Sequence, residues 1–410
     1  SADNKDPILR HAGVTGLVGV ATLRELESFV EHPSEAMRIA AVVALRRLGG
    51  INELTKFIKD DSPQVMSDAV RAIYDEAETQ TFSDHPKSLS VIAGALDPQH
   101  PSSVNFRAIA ANRRLGNFDS AKRISAFLAH PNLSRTLRIQ ALYALESWSK
   151  TYQLDPIDGR YFPVLAGDMD ALNSVIGPKI WDLANNADNK ISRLAISVLQ
   201  SINPDKAKLD QVSDLILDEN QRSDLRKEWL RLLRKWDLNL FTSVGTQVLY
   251  SKSPELRAVA AEELTEADLG GSAVDNYLLE TFNNSSDTVE LQRAIKMIPR
   301  LKSKKYIIGK LFKELIDGRI APEIQLEVLE EARTISRDYP DIRMLMDNYN
   351  NFINKQDVMT RYKVALKGGN AEKGKDLFFG HAKAQCSKCH GLKQIDRQIG
   401  PSLEGIAKRH

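Results

Sequence analysis

The chain has 410 residues, 56 of them Lys or Arg and 54 Asp or Glu, for a formal net charge of +2. So even a balance supplies no strongly basic face of the kind that nucleic-acid binding calls for. No window approaches the run of about 18 apolar residues that a membrane span requires, and the longest uncharged stretch, Ala12 to Leu23, is broken by glycine and threonine.

Glycine and proline are sparse, 22 and 16 residues, and nothing alternates in the way strands do. A turn followed by a helix recurs instead. Asp6-Pro7 opens the first copy, running through Leu9, Arg10 and Ala12 to Leu17. His32-Pro33-Ser34 opens the second, with Met37, Arg38 and Ala40 leading to Leu45. Asp61-Ser62-Pro63 follows with Val65 and Ala69, then His100-Pro101-Ser102 with Val104, Arg107 and Ala111. His130-Pro131-Asn132 leads to Leu137, Arg138, Ala141 and Leu145, so the proline intervals are 26, 30, 38 and 30 residues. Fainter copies lie at Ile191-Ser192-Arg193, Asp224-Leu225-Arg226, Ser253-Pro254-Glu255-Leu256-Arg257 and Ala321-Pro322-Glu323. Proline suits the first turn of a helix, where its missing N–H costs nothing. Ser, Asp or Asn beside it caps the orphan amides. Apolar residues at i, i+3/i+4 and i+7 form one buried stripe, and alanines on it let helices approach closely. Asp155-Pro156, Gly177-Pro178 and Asn203-Pro204 read as irregular turns within further helices.

The pattern Asp-Pro-x-[Leu/Val]-Arg-x-x-Ala-x-x-x-Leu at an interval near 30 resembles HEAT repeats, closely over residues 1–145 and loosely from about 146 to 340. The resemblance implies an all-α fold over residues 1–340, an α-solenoid in which stacked helix pairs bury a common core. This part shows no catalytic constellation. Its histidines, His11, His32, His85, His100 and His130, sit at turns without metal-ligand spacing. The helix around Trp229 to Trp236 and the run Lys302-Ser303-Lys304-Lys305 read as an ordinary amphipathic helix and a solvated loop.

Residues 341–367 read as a polar helical linker, and Gly368-Gly369-Asn370 marks a boundary, with Asn370 placed to cap the next helix. Residues 368–410 carry eight basic and four acidic residues, against 48 and 50 in the rest. A first helix, Ala371 to Phe379, places Gly374 and Phe378 four apart on one face. Then comes Cys386-Ser387-Lys388-Cys389-His390, with the only two cysteines of the chain. C-x-x-C-H is a c-type haem attachment sequence: two thiols on one tight turn reach two vinyl groups of one porphyrin edge, and His390 follows to ligate the iron. Gly400-Pro401-Ser402-Leu403 lies ten residues on.

Helix, C-x-x-C-H and Gly-Pro-x-Leu in this order resemble the start of class I cytochromes c. The resemblance implies one covalent haem c on Cys386 and Cys389, His390 as an iron ligand, and the Pro401 carbonyl accepting the other ring N–H of His390. It also implies a distal ligand and a closing helix beyond His410, with His381 or His410 as a less favoured sixth ligand. The whole arrangement is similar to the PVC-type haem-binding CxxCH proteins. That resemblance implies an exported, periplasmic location, a leader and a β-propeller resembling a dehydrogenase upstream of Ser1, and a partial c-type cytochrome domain over 368–410. It further implies an electron-transfer module that takes electrons from a dehydrogenase or propeller domain and passes them to a redox acceptor protein. The other readings of the residues are an interaction scaffold with a sensory or vestigial haem, and a zinc-stabilised tail using Cys386, Cys389, His390 and either His381 or His410.

Overall fold

The computed structural model describes residues 6–76, 85–159, 161–176, 178–202, 204–369, 371–393 and 399–406. The chain divides into two compact units, Ser1–Leu209 and Asp210–His410. The first holds α1 (Pro7–Val20), α2 (Leu23–Ser28), α3 (Glu35–Leu48), α4 (Ile51–Phe57), α5 (Pro63–Glu76) and α6 (His85–Gly94). It continues with α7 (Ser102–Leu115), α8 (Phe118–Leu128) and α9 (Arg135–Glu146), then a hairpin of β1 (Tyr152–Leu154) and β2 (Tyr161–Val164). Three more helices, α10 (Met169–Val175), α11 (Pro178–Ala184) and α12 (Asn189–Leu199), precede α13 (Lys206–Leu217), which crosses the boundary. The second unit holds α14 (Ser223–Trp236), α15 (Leu238–Val248), α16 (Pro254–Glu266), α17 (Gly271–Asn284) and α18 (Thr288–Met297). Its remaining helices are α19 (Lys304–Ile316), α20 (Gln325–Ile335), α21 (Pro340–Ile353), α22 (Val358–Tyr362) and α23 (Ala371–Gly380). The fold is mostly helical, and no helix among the described residues is long and apolar enough to cross a membrane.

In the first unit α3 packs on α5, α5 on α7, α7 on α9 and α9 on α12, while α2, α4 and α6 form a second row beside them. In the second unit α14, α16, α18 and α20 follow one another in the same way. Buried alanines mark most of these successive helices: Ala41 and Ala44, Ala69 and Ala72, Ala108 and Ala111, Ala141 and Ala144, then Ala258, Ala261, Ala294 and Ala332, whereas α14 has no alanine and buries Leu225, Trp229, Leu230 and Leu233 instead. A small side chain at the contact brings two helix axes close, and the larger Leu, Ile and Val around it fill the space. Trp229 is buried, so α14 is a core helix.

The helix starts show where the proline reading holds and where it shifts. Pro7 and Pro254 sit in the first turns of α1 and α16, capped by Asp6 and Ser253. Pro33 and Pro131 instead lie ahead of α3 and α9, whose N-caps are Ser34 and Ser134. The carbonyls of those His-Pro turns are used by an arginine of the following helix. Arg38 donates to His32 O at 2.8 Å and grips Asp60 at 2.7 and 3.1 Å. Arg138 donates to His130 O at 3.2 Å. In the second unit Arg257 donates to Ser251 O at 2.7 Å and to both oxygens of buried Glu290, at 2.8 and 2.7 Å. Arg226 likewise reaches Ile216 O at 2.7 Å and Glu219 at 2.9 and 3.1 Å.

The antiparallel hairpin departs from the purely helical expectation. Tyr152 pairs with Val164 and Leu154 with Tyr161. The turn at Asp155-Pro156 is tied inward, because the Asp155 carboxylate accepts from the Tyr74 hydroxyl at 2.6 Å and from the N–H groups of Ile157 and Asp158 at 2.8 and 3.1 Å. It also pairs with the Arg114 guanidinium, which lies 4.5 Å from the centre of the Tyr74 ring. Burial pushes the Tyr74 hydroxyl well above its usual titration range.

Two outcomes follow from these pairs. Asp155→Ala removes the carboxylate from a buried guanidinium, and the urea midpoint of the chain should fall by the equivalent of about 3–5 kcal/mol; an unchanged midpoint would contradict the buried pair. The Glu219 carboxyl is held down to about 2, chiefly by its hydrogen bond from Arg226. A depressed folded value gives stability that is complete above the unfolded value of 4.5 and lost as pH falls towards about 2. Glu219→Gln should therefore flatten the acid limb of stability between those values, read by circular dichroism, and leave the neutral-to-alkaline limb in place.

Candidate functional site

The segment that carries the cysteines leaves the helices through two glycines. A Cβ on Gly368 would stand 2.9 Å from Leu326 Cβ and Glu327 Oε2, so the backbone runs against α20 more closely than any side chain allows. Gly369, at φ +117°, donates its N–H to Glu327 Oε1 at 2.8 Å. Lys367 pairs with Glu323 at 3.5 Å. Glu327 is only 2% exposed, and nothing in the sequence singled it out. Beyond it, burial raises the Glu331 carboxyl above its usual range, with Glu330 adding to the effect. Ahead of the glycines, α21 buries Ile342 and Met346 in the core shared by α18, α19 and α20, so the polar stretch before them is partly core. Asn370, read as a cap, lies outside the described residues.

Helix α23 follows. Gly374 has open space around it, Phe378 stacks edge-on with Phe379 at 5.0 Å, and Leu377 and Phe379 are exposed. His381 ends the helix: its Nδ1 accepts from the N–H groups of Ala384 at 3.0 Å and Lys383 at 3.3 Å, and its carbonyl accepts from Gln385 at 3.0 Å. The ring of this candidate distal ligand is thereby committed through one nitrogen to its own loop.

Gln385 takes a left-handed conformation, φ 47° and ψ 37°, and starts a 3-10 turn at Cys386–Lys388. The Cys386 carbonyl accepts from both Cys389 N–H, at 3.2 Å, and His390 N–H, at 2.9 Å. One carbonyl thus draws the two thiols and the histidine onto a single turn. Both cysteines are free thiols, Cys386 half-buried and Cys389 exposed.

The chain then returns across this turn. Gly400 N–H donates to Cys389 O at 2.6 Å, and Leu403 N–H to Gly391 O at 2.9 Å. A Cβ on Gly400 would meet Cys389 O at 2.7 Å and the His390 ring at 3.0 Å, which is why glycine precedes the proline. Pro401 O then lies 2.9 Å from His390 Nδ1. A carbonyl only accepts, so Nδ1 carries the proton and the lone pair of the neutral ring is on Nε2. His390, Pro401, Cys386 and Cys389 are therefore brought together; the close fit of Gly400 adds to the sequence reading.

Chemically, the turn offers two thiols and an imidazole with a fixed tautomer and a basic Nε2. Such a set could hold a haem, the two thiols by thioether bonds to its vinyl groups and Nε2 as a ligand of its iron. Among the described residues no group of three His, Cys, Asp or Glu is placed to hold a metal ion by itself, and His410 lies outside the described residues.

Gly400→Ala tests this geometry, since its methyl group displaces Cys389 O or the His390 ring. Nitrogen-15 spectra of the histidine rings should show His390 as the Nδ1–H tautomer in the parent chain and a mixture in the variant. Equal tautomer populations in the two would remove Pro401 from the site. No family model matches the chain and no curated protein matches it.

Proposed function

We propose that residues 368–410 bind one covalent haem c through Cys386, Cys389 and His390, and that the chain is an electron-transfer module of a larger exported oxidoreductase. The observation that carries this reading is the Pro401 carbonyl 2.9 Å from His390 Nδ1, on a turn that already gathers both thiols. Nothing in a plain surface loop requires a histidine to be held by a backbone eleven residues away.

The roles of the residues follow. The exposed position of Cys389 and the partial exposure of Cys386 keep both thiols open to thioether formation. Pro401 keeps the proton at Nδ1, orients the ring and strengthens Nε2 as a donor. Phe379 and Ile399, 56% and 92% exposed, leave apolar surface on the same segment, suited to a flat apolar ring. Haem, when bound, supplies one-electron Fe(III)/Fe(II) chemistry whose potential depends on axial ligands and solvent exposure.

The helical units are the scaffold in this reading, a HEAT-like α-solenoid. Support comes from the rows of successive helices, the buried alanines on most of them, and the arginines Arg38, Arg138, Arg226 and Arg257 that bond back to the chain before their helices. The electron donor would be a dehydrogenase or propeller domain, the acceptor a redox protein, and the compartment the periplasm, where c-type haem is attached.

Expression with export and cytochrome maturation tests this reading. The purified chain should show reduced-minus-oxidised haem bands and a mass increased by one haem. Cys386→Ser with Cys389→Ser should lose covalent haem, and His390→Ala should keep it while its spectrum shifts. An apoprotein mass with no haem bands would overturn the proposal.

A further inference from the structure

The basic run at Lys302 to Lys305 reads from sequence as a solvated loop, yet it stands at the mouth of a groove. It forms the entry to α19, and α19 and α21 enclose a depression of about 740 Å³ lined by Lys302, Tyr306, Gly309, Lys310, Lys313 and Met344, among others. A Cβ on Gly309 would lie 3.2 Å from Ile342 Cδ1, so this glycine lets the two helices close on each other and sets the depth of the floor. Tyr306 is 68% exposed and Met344 60%. Asp341, the only acid lining the groove among the described residues, already pairs with Lys305 at 3.1 Å. That leaves Lys302, Lys310 and Lys313 around an apolar floor with no carboxylate of the groove to meet them.

From this we infer that the α19–α21 groove receives an acidic amphipathic helix of a partner protein. The charge pattern argues for the partner's chemistry. A helix with apolar residues at i, i+3/i+4 and i+7 would cover Tyr306, Met344 and Leu345, and its acidic flanks would face the lysines. A polyanion such as nucleic acid would meet the lysines but leave the apolar floor wet. The groove lining also holds no arginine, whose planar fork is what recognises phosphate in two-point fashion. Exposed lysines steer and select more than they bind, so the floor supplies the affinity and the rim the sign of the partner.

Anisotropy titrations of the full chain, at low salt, test this with three labelled probes. The first is a synthetic amphipathic helix of about 18 residues, five turns long, with Leu on one face and Glu on the others. The second keeps the Glu residues and replaces each Leu by Gln, and the third is a single-stranded oligonucleotide. The first probe should bind and protect α19 and α21 from hydrogen exchange; the other two should bind about tenfold more weakly or not at all. Lys310→Glu with Lys313→Glu, both at exposed positions, should cost the first probe about tenfold in affinity with unchanged circular dichroism. No binding of the first probe, protection elsewhere on the chain, equal binding of the oligonucleotide, or indifference to the double charge reversal would overturn the inference.

Discussion

An arginine that reaches back to the turn before its own helix sets the form of this protein. Arg38, Arg138 and Arg257 each donate to a carbonyl of the turn before their helix, Arg226 to one in the last turn of the helix before its own, and all but Arg138 also grip a carboxylate. The planar guanidinium can do both because its donors diverge in a rigid fork. The arrangement is conditional. Glu290 is buried, and its cost in desolvation is offset only because Arg257, the Tyr277 hydroxyl and the Ser285 hydroxyl all donate to it. Where the fork holds, the chain before the helix is tied to the helix's own first turns, and the buried stripe of that helix packs on the next helix of the row.

Much of this was legible beforehand, and for a physical reason. The residues that start these helices and face their neighbours are local: proline or serine at the start, arginine a turn later, alanine and leucine on the same stripe. Their spacing is read directly along the chain. Pro33 and Pro131 lie ahead of α3 and α9 and not within their first turns, because proline serves equally in a helix and ahead of it. The hairpin leaves no mark in the sequence, because β1 and β2 are only three and four residues long, too short for alternation to show. Its anchor, the Asp155 to Tyr74 bond, spans 81 residues, a distance no local pattern encodes.

The C-terminal segment divides in the same way. Cys386, Cys389, His390 and Pro401 declare themselves by type and spacing, and the structure brings them within one turn and one return strand of chain. Glu327 does not, since a glutamate on an amphipathic helix looks like any other until Gly369 is seen against it. What holds the segment to α20 is therefore visible only in three dimensions, while what the segment offers chemically is visible in one.

Pro401 offers its main-chain oxygen, not a side chain, to His390. A survey that trims side chains one at a time would pass over the atom that fixes the imidazole, since every amino acid carries the same carbonyl. The chain guards that atom indirectly, by the absence of a substituent at position 400 and by the stiffness of the ring at 401. Selection on such a contact would act on backbone shape, and its trace would be sought in what neighbouring positions exclude rather than in what they display.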